Sequence, residues 1–486
     1  MGVPCPKRAL SEYLQSLFKG ATTMPYLQSD EIAAHGIERW PRSPIDAFDR
    51  ARTTLHDLGL AGDSQQMGQR WPVGCIALEI TQRCNLDCTL CYLSENAEAV
   101  KDIPLEELFS RIDTIFASYG PNADVQVTGG EPTLRDRGEL LAIVRRIWAR
   151  GMRATLMTNG IRVTRMLLEQ LTDAGLADVA FHVDTTQQRR GYATEAALNA
   201  LRERYLNMAA GLPLSVMFNT TVHDGNFDEI PSVVSFFRSC AGRIRTVSFQ
   251  LQADIGRGVQ RARGLAITPD TVVAQIEKGA GTPITFSASL IGHPCCNRYG
   301  MCIAANGNLH DAFDDPSFVA AMQSATAALA FDRTYPAATA HRLIAWFARH
   351  PALWPRALSW TARKGWAMRK DILASGARVH TLSFIIHNFM DAARLEEDRI
   401  RACAFKVATS EGPVSMCLHN ARRDAFVLKP IRIYRAGLPV YWNPATGKEA
   451  VEFNGLFKPG QAVVVPRRRR KGRSNEHVVK KVYATT

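Results

Sequence analysis

Between residues 75 and 252 the chain alternates short apolar runs with amphipathic stretches. The apolar runs are rich in β-branched residues and span 75–81, 124–128, 153–158, 178–184, 213–222 and 245–252. The intervening segments, such as 136–150, 163–175, 193–209 and 226–240, repeat apolar residues at helical spacing. Six such units favour an α/β fold whose parallel strands are joined by helical crossovers. A partial barrel and an open doubly wound sheet both fit this periodicity, so motifs at the strand ends must decide between them.

The flanking regions follow other patterns. Residues 1–70 predict a helical extension, with one helix around Leu10 to Phe18 and a second from Pro44 to Leu58. After residue 252 the regular alternation stops, and short β-like runs with turn signals return over 431–465. We therefore divide the chain into a helical N-terminal extension (1–70), a barrel (71–255), a cysteine-containing region (256–430, with an insert at 333–370) and a β-rich appendage with a basic tail (431–486).

Composition narrows the class of protein. The 486 residues are 46% hydrophobic, which is typical of a globular chain, and no run of about 18 apolar residues predicts a membrane-spanning helix. The N-terminus lacks the apolar core of a signal peptide, so a cytoplasmic protein is expected. In a reducing compartment, the 11 cysteines indicate metal binding more often than disulfides. A net charge of +13 favours anionic partners.

Three cysteines follow the first apolar run closely. Cys84, Cys88 and Cys91 stand at positions i, i+4 and i+7. Three thiolates can bind three irons of a 4Fe–4S cluster and leave the fourth iron open to a small molecule. A structural zinc ion would need a fourth ligand nearby, and disulfides would need an even number of cysteines. The spacing therefore favours an iron–sulfur cluster over a zinc loop or a chance grouping.

Polar or glycine-rich motifs follow the predicted strands. Thr128-Gly129-Gly130-Glu131-Pro132 comes after the second strand, where glycines let the backbone approach a ligand and a carboxylate can pair with an ammonium group. Thr158-Asn159-Gly160 ends the third strand, and Asp184 ends the fourth. The last two strands carry polar residues at 219–221, 250 and 252. These residues are candidates for lining a pocket, although turns and helix N-caps use the same residue types.

The cysteine loop, the aromatic Tyr92 after it, the Gly-Gly-Glu-Pro motif and the Thr-Asn-Gly motif together resemble the radical S-adenosylmethionine (radical SAM) superfamily. The resemblance implies a partial (β/α)6 barrel, with its active site at the carboxyl ends of the strands. It also implies a 4Fe–4S cluster on Cys84, Cys88 and Cys91 whose open iron chelates S-adenosylmethionine (SAM). One electron, from a donor such as flavodoxin or ferredoxin, would cleave SAM to a 5′-deoxyadenosyl radical, which abstracts hydrogen from an unreactive carbon. The residues implied to contact SAM, or in the last case SAM or the substrate, are Tyr92, Gly129, Gly130, Glu131, Thr158, Asn159 and Asp184.

A second group of cysteines lies beyond the predicted barrel and comprises Cys295, Cys296, Cys302, Cys403 and Cys417. Four or five thiols suffice for a second, fully ligated 4Fe–4S cluster, and a four-cysteine zinc site or inert buried cysteines are the alternatives. The motifs around 293–296, 401–403 and 412–420 are similar to the radical SAM subgroup that contains tetraether lipid synthases and pterin methylases. That similarity implies an auxiliary cluster and a lipid or pterin substrate. This chain lacks the rubredoxin-like N-terminal cysteines of the tetraether enzymes and has Cys295 and Cys302 as extra thiols.

Residues 333–370 form a basic insert rich in tryptophan. It contains Arg333, Arg342, Arg349, Arg356, Arg363, Lys364, Arg369, Lys370, Trp346, Trp354, Trp360 and Trp366, and no Asp or Glu. Pro351 and Pro355 predict a division into two helices. Cationic helices with tryptophans suit an anionic membrane surface, whereas tryptophans packed into the core, or nucleic-acid binding, would produce the same composition.

We therefore expect a radical SAM enzyme, peripheral on the inner face of the membrane, that acts on a membrane lipid or its precursor. Enzymes that modify RNA, a pterin or a peptide are the alternatives within the superfamily. The alternative without catalysis is an iron–sulfur scaffold or an electron carrier.

Overall fold

The computed structural model describes residues 26–258, 263–329 and 336–451. The predicted helix around Leu10 to Phe18, Arg333 of the insert and the basic tail lie outside these ranges. Within them the helices are α1 (Ser29–Ala34), α2 (Pro44–Asp57), α3 (Leu105–Tyr119), α4 (Arg137–Ala149), α5 (Arg165–Asp173), α6 (Glu195–Ala209), α7 (Ile230–Ser239), α8 (Pro269–Ala280), α9 (Pro316–Ala325), α10 (Pro336–Ala348), α11 (Trp354–Ala374), α12 (Glu397–Arg401), α13 (Met416–Ala421) and α14 (Arg423–Val427). The strands are β1 (Cys75–Thr81), β2 (Asp124–Gly129), β3 (Arg153–Thr158), β4 (Leu176–His182), β5 (Ser215–Val222), β6 (Thr246–Leu251), β7 (Asn297–Ala305), β8 (Asn308–Asp311), β9 (His380–His387), β10 (Phe405–Ala408), β11 (Pro413–Ser415), β12 (Ile431–Arg435), β13 (Leu438–Trp442) and β14 (Glu449–Ala450).

The larger sheet has the strand order β11-β10-β1-β2-β3-β4-β5-β6-β9-β7-β8, and β12 to β14 form a separate small sheet. Strands β1 to β6 pair in parallel, each with the next, and helices α3 to α7 connect them. This arrangement confirms the parallel α/β fold that the alternating pattern predicts and the partial (β/α)6 barrel that the resemblance implies. The helix predicted from Pro44 to Leu58 is α2.

The first strand shows why the apolar runs are nearly continuous. Every residue of β1 is buried, because the strand has helices on one side and the barrel interior on the other. Ile76, Leu78 and Ile80 belong to the main hydrophobic core. The alternate positions Ala77 and Glu79 face a cavity inside the barrel.

Two strands from the C-terminal region extend the barrel at both edges. β9 pairs in parallel with β6, and β10 pairs in parallel with β1. The two edges meet where the ring of His387 on β9 packs against the ring of Phe405 on β10, with centroids 4.8 Å apart. We call this contact the seam of the barrel. The alternating pattern does not predict the two strands, because an antiparallel pair and the insert helices separate β9 from β6 in the chain.

The insert and the appendage lie outside the barrel. The insert forms α10 and α11, and this confirms the predicted division into two helices. Strands β12 to β14 correspond to the predicted β-rich appendage, which contacts α3 through an ion pair between Arg435 and Glu106. In the part of the chain that the structure describes, no helix has both the length and the apolar character needed to span a membrane.

Candidate active site

A cavity of about 280 Å³ lies inside the barrel. Its wall includes side chains from all of the neighbouring parallel strands, among them Glu79, Thr128, Met157, His182, Asn219, Ser248, Gln250, His387 and Phe405. Most of these residues stand near the carboxyl ends of their strands, where the loops that follow the strands of a parallel barrel meet. The cavity is therefore placed where barrels of this kind bind their ligands.

The loop that follows β1 brings three cysteines to this cavity. Cys84, Cys88 and Cys91 all line it. Burial, followed by the proximity of Cys91, raises the pKa of Cys84 to about 12. Burial and the two neighbouring thiols also raise the pKa of Cys88. Thiolates so close together repel one another, so a cationic metal centre would be needed to hold all three in the ionised form.

The three thiols suit a cluster. Among residues 26–258, 263–329 and 336–451, no three His, Cys, Asp or Glu side chains come close enough to hold one metal ion. A 4Fe–4S cluster attaches each thiolate to a different iron, so its ligands surround a volume and do not meet at a point. Three cysteines around one cavity are the donor set for a cluster with one open iron.

A segment after β6 that the sequence analysis did not single out lies across the cysteine loop. A Cβ on Gly256 would be 2.5 Å from the carbonyl oxygen of Cys91, so only glycine allows this approach. The next residue is Arg257, whose buried guanidinium bonds to the Cys91 thiol and pairs with Glu98 at 3.2 Å. This cation would offset the negative charge of ionised thiolates. The Gly-Arg-Gly triplet at 256–258 was the available sequence signal.

The two glycines after β2 pack directly against the backbone next to the cysteine loop. A Cβ on Gly129 would lie 2.0 Å from the carbonyl oxygen of Thr81, and one on Gly130 would lie 2.2 Å from that of Arg83. Gly129 also has a φ of 126°, which residues with side chains disfavour. The Tyr92 hydroxyl donates to the Gly129 carbonyl. Tyr92, Gly129 and Gly130 line the cavity beside the cysteines.

Glu131 has a different place from the one that the resemblance implies. Its side chain is fully buried and does not line the cavity. One carboxylate oxygen accepts hydrogen bonds from the hydroxyls of Thr133 and Thr158 at 2.6 and 2.7 Å. The other accepts one from the backbone N–H of Asn159 at 2.7 Å. The carboxylate therefore joins the loop after β2 to the loop after β3, and its pairing with the SAM ammonium group stays a prediction of the resemblance.

Replacing Glu131 with glutamine is expected to lower the free energy of unfolding of the cluster-free protein by about 3 kcal/mol, because an amide NH₂ would face groups that now donate to the carboxylate. Chemical denaturation measures this change. The matched control is Glu169→Gln, at an exposed carboxylate paired with Arg165 at 2.8 Å, which should cost less than about 0.5 kcal/mol. Unchanged stability of the Glu131 variant together with weakened SAM binding would instead show that Glu131 contacts SAM.

Asp184 is also buried behind the cavity wall. Its carboxylate caps the helical turn at 185–187 through the Thr186 amide and accepts a hydrogen bond from the His182 ring at 2.7 Å. Burial by itself would raise the pKa of Asp184, but His182 and the hydrogen bonds hold that pKa well below its usual range. His182 lines the cavity and Asp184 does not. Asp184 therefore orients the imidazole of His182, a cavity residue that the sequence analysis did not single out, and a contact of Asp184 with SAM or substrate stays a prediction.

Thr158 and Asn159 lie at the cavity, as do several other polar residues. The Asn159 side chain donates to Asn85 of the cysteine loop at 2.6 Å, and this bond ties the loop after β3 to the candidate cluster site. Ser248 is 4% exposed, and its hydroxyl has no hydrogen-bond partner within the described ranges. Around these polar groups the wall is largely apolar and includes Leu90, Met217, Leu251, Ile255, Ile385, Phe389 and Met416.

Three of the remaining cysteines lie near the seam of the barrel: Cys403 stands two residues before Phe405, and the Cys296 carbonyl accepts a hydrogen bond from the Asn388 backbone beside His387. Cys296 precedes β7, Cys403 precedes β10 and Cys417 lies on α13. Burial, followed by the proximity of Cys403 and Cys296, raises the pKa of Cys417, which indicates that the three thiols are neighbours. The Arg399 side chain donates to the Cys296 sulfur at 3.2 Å. The arrangement therefore joins segments from both edges of the barrel.

The other two cysteines of this group, Cys295 and Cys302, have different surroundings. Cys295 is exposed and adjoins Cys296. Cys302 is fully buried in β7, opposite Asp311 of β8, and burial followed by the Asp311 charge raises its pKa to about 12. Cys295 could therefore join the trio as a fourth thiol. Cys302 lies in the core, and its place corrects the expectation that it is a ligand.

Residues 78–236 match the family model of the radical SAM superfamily, and the match includes the cysteine loop and the glycines after β2. This segment of the chain is a radical SAM domain. The matched segment includes Cys84, Cys88, Cys91, Tyr92, Gly129 and Gly130, which line the cavity together.

Three curated radical SAM relatives are similar to part of the chain. Fe-coproporphyrin III synthase of Methanosarcina barkeri is 31% identical over 38% of this chain and 45% of the relative. A probable GTP 3′,8-cyclase of Pyrococcus horikoshii is 29% identical over 40% and 60% of the two chains. The 7,8-dihydro-6-hydroxymethylpterin dimethyltransferase of Methanocaldococcus jannaschii is 25% identical over 37% and 36%. The chain thus spans 36% to 60% of the length of these relatives.

Proposed function

We propose that this radical SAM protein is an enzyme that cleaves SAM reductively and abstracts hydrogen from an unactivated carbon of a substrate in the barrel cavity. The observation that carries the proposal is that Cys84, Cys88 and Cys91 line one cavity together with Gly129 and Gly130. A 4Fe–4S cluster on the three thiolates would supply the open iron that holds SAM and the electron that breaks its carbon–sulfur bond. That electron would come from a donor such as flavodoxin or ferredoxin.

The residues of the chain itself position the reactants and enclose them. The close packing of Gly129 and Gly130 leaves their backbone uncovered by side chains at the cavity wall. The Arg257 cation beside Cys91 offsets the charge of the thiolates. At the seam, His387 and Phe405 cover the side of the cavity where the parallel array would otherwise end. Together these residues hold the ligands in a defined place and limit the access of water.

We further propose that Cys296, Cys403 and Cys417, with Cys295 as the fourth thiol, bind an auxiliary 4Fe–4S cluster. The support for this is that the three buried or half-buried thiols come from separate chain segments, and that the pKa values of Cys417 and Cys296 are raised by burial and by neighbouring thiols of this group. Four thiolates satisfy every iron of such a cluster. Held there, a cluster would connect the chain before β7 with the chain before β10, and would keep the seam closed.

For the substrate we propose a membrane lipid or a lipid precursor. The cavity wall near the cysteines is mostly apolar, with Leu90, Leu251, Ile255, Phe389 and Met416. Such a wall accommodates an alkyl chain, whose hydrogens are bonded to unactivated carbons. The cysteine motifs are similar to the subgroup that contains both tetraether lipid synthases and pterin methylases, so that similarity is compatible with a lipid substrate and does not select it over a pterin.

A polar heterocycle such as a pterin is the second candidate substrate. It is favoured by the buried Ser248 hydroxyl, which has no partner within the described residues and lies in the cavity wall with Asn219 and Gln250. Groups of this kind form hydrogen bonds with ring nitrogens and carbonyls. Two of the relatives are named for a pterin and for GTP, which are substrates of this chemical type.

The test begins with purified protein reconstituted with iron and sulfide under anaerobic conditions. After reduction in the presence of SAM it is expected to release 5′-deoxyadenosine, measured by liquid chromatography and mass spectrometry, and the unreduced sample is the control. Reduced, iron-loaded protein that releases none would contradict the proposed function. Lipids and pterins are then compared between cells with and without the protein. Altered alkyl chains support the lipid proposal, and an altered pterin pool with unchanged lipids supports the second candidate.

A further inference from the structure

The second helix of the insert carries large apolar side chains on the protein surface. On α11, Trp354, Leu358, Trp366 and Leu373 are 46%, 66%, 71% and 80% exposed. At about 100° per residue, these four positions fall within an arc of about 120° around the helix. We call them the outward face of α11. Large apolar side chains that are gathered on one side of an exposed helix indicate a surface that binds something.

The opposite side of α11 is attached to the body of the protein. Lys364 is buried and pairs with Asp314 at 2.6 Å. Trp360 stacks on Phe318 with ring centroids 5.7 Å apart, and Met368 is 3% exposed. These contacts set the rotation of the helix, so the outward face cannot turn into the core. They also show that Trp360 packs against the protein and does not belong to the exposed set.

The insert helices carry exposed basic residues. Lys370 on α11 and Arg342 and Arg349 on α10 are exposed, and residues 333–370 contain no Asp or Glu. The acidic residue that follows in α11, Asp371, bonds to Asn308 and His310. The guanidinium of Arg369 lies over the ring of Trp366, 4.1 Å from its centroid. Indole rings settle at the depth of lipid headgroups, and the neighbouring cations are attracted to anionic headgroups. The apolar face and its basic border therefore complement one kind of surface.

We propose that the outward face of α11 docks on an anionic lipid bilayer. The aliphatic residues decide between a bilayer and nucleic acid. Leu358 and Leu373 can enter the boundary of the acyl chains, whereas nucleic-acid surfaces bind bases with aromatic rings and phosphates with cations. The docking surface contains none of the cysteines, so docking does not depend on the proposed catalysis and is testable in cluster-free protein.

Flotation with vesicles tests the proposal. Wild-type protein is expected to float with vesicles of phosphatidylcholine and phosphatidylglycerol, and a part of this binding should persist at high salt because the apolar contacts are not screened. The double variant Trp354→Ala and Trp366→Ala is expected to lose this salt-resistant part about tenfold or more. The matched control is Trp148→Ala, which removes a 56% exposed tryptophan from α4, a helix of the barrel and not of the insert. It should bind like the wild type.

A charge variant and a competitor complete the experiment. Arg342→Gln, Arg349→Gln and Lys370→Gln together should weaken binding at low salt and leave its salt-resistant part. Circular dichroism and thermal melting check that each variant is folded. Three results would overturn the proposal: no flotation of the wild type, equal losses for the α11 variant and the Trp148 control, or complete displacement of the protein from vesicles by a short RNA.

Discussion

Alanine at Cys84, Cys88 and Cys91 together is expected to abolish the release of 5′-deoxyadenosine from SAM. Each thiolate would hold one iron of the catalytic cluster, and without these anchors the open iron that binds SAM is lost. The three side chains line the cavity and are not part of the main hydrophobic core, so the barrel should still fold. Iron analysis after anaerobic reconstitution should give about eight iron atoms per wild-type chain and about four in the variant.

Cys240→Ala is the matched control for this triple variant. Cys240 is a buried cysteine at the end of α7 that does not line the cavity. Its replacement should leave both the product and the iron content unchanged. Release of 5′-deoxyadenosine by the reconstituted and reduced triple variant would overturn the assignment of the catalytic cluster, and with it the proposed function.

Alanine at Cys296, Cys403 and Cys417 is expected to remove the other four irons while SAM binding by the first site continues. These thiols lie near the seam and not in the cavity wall that carries the cysteine loop, so the two iron sites should be lost independently. Iron analysis and the binding of SAM by equilibrium dialysis measure the two effects. Because the trio joins chain segments from both edges of the barrel, the iron-loaded wild type should also resist limited proteolysis between β6 and β10 better than the variant does.

Cys302→Ala is the control that distinguishes the trio from the wider group of cysteines. Cys302 is buried in β7 opposite Asp311, and its replacement should retain about eight irons, whereas Cys295→Ala should weaken the auxiliary site. A loss of four irons in the Cys302 variant would show that it is a ligand. If the variant without Cys84, Cys88 and Cys91 contains stoichiometric zinc and lacks the absorbance of an iron–sulfur cluster, the second site holds a structural zinc ion and not an auxiliary cluster.

The strands of the barrel could be predicted because burial on both faces requires continuous apolar runs, such as that of β1. The helices between them repeat apolar residues at a period that matches one buried face. The edge strands β9 and β10 could not be predicted in the same way. Their partners β6 and β1 are far away in the chain, and pairing across that distance leaves no periodic trace in the local sequence.

The roles of some polar residues in the candidate site could also be predicted from the local sequence, whereas the roles of others depend on contacts with distant segments. A spacing of three cysteines is a local property, so Cys84, Cys88 and Cys91 could be proposed as cluster ligands before any fold was known. Whether the Glu131 side chain faces the cavity or the neighbouring loop depends on Thr158 and Asn159. These residues lie in the next strand–helix unit, so the sequence around the motif does not contain the answer.

By itself, the sequence determined the order of strands and helices in the barrel, the cysteine spacing that proposes the ligands of the first cluster, and the basic, tryptophan-rich character of the insert, because each depends on the spacing of residues within a short stretch of chain. Only the tertiary structure decided which cysteines accompany Cys417, that Arg257 lies against the cysteine loop, and which tryptophans of α11 face outward. These outcomes depend on contacts between segments that are distant in the chain. Packing of the whole molecule selects such contacts, and no local pattern specifies them.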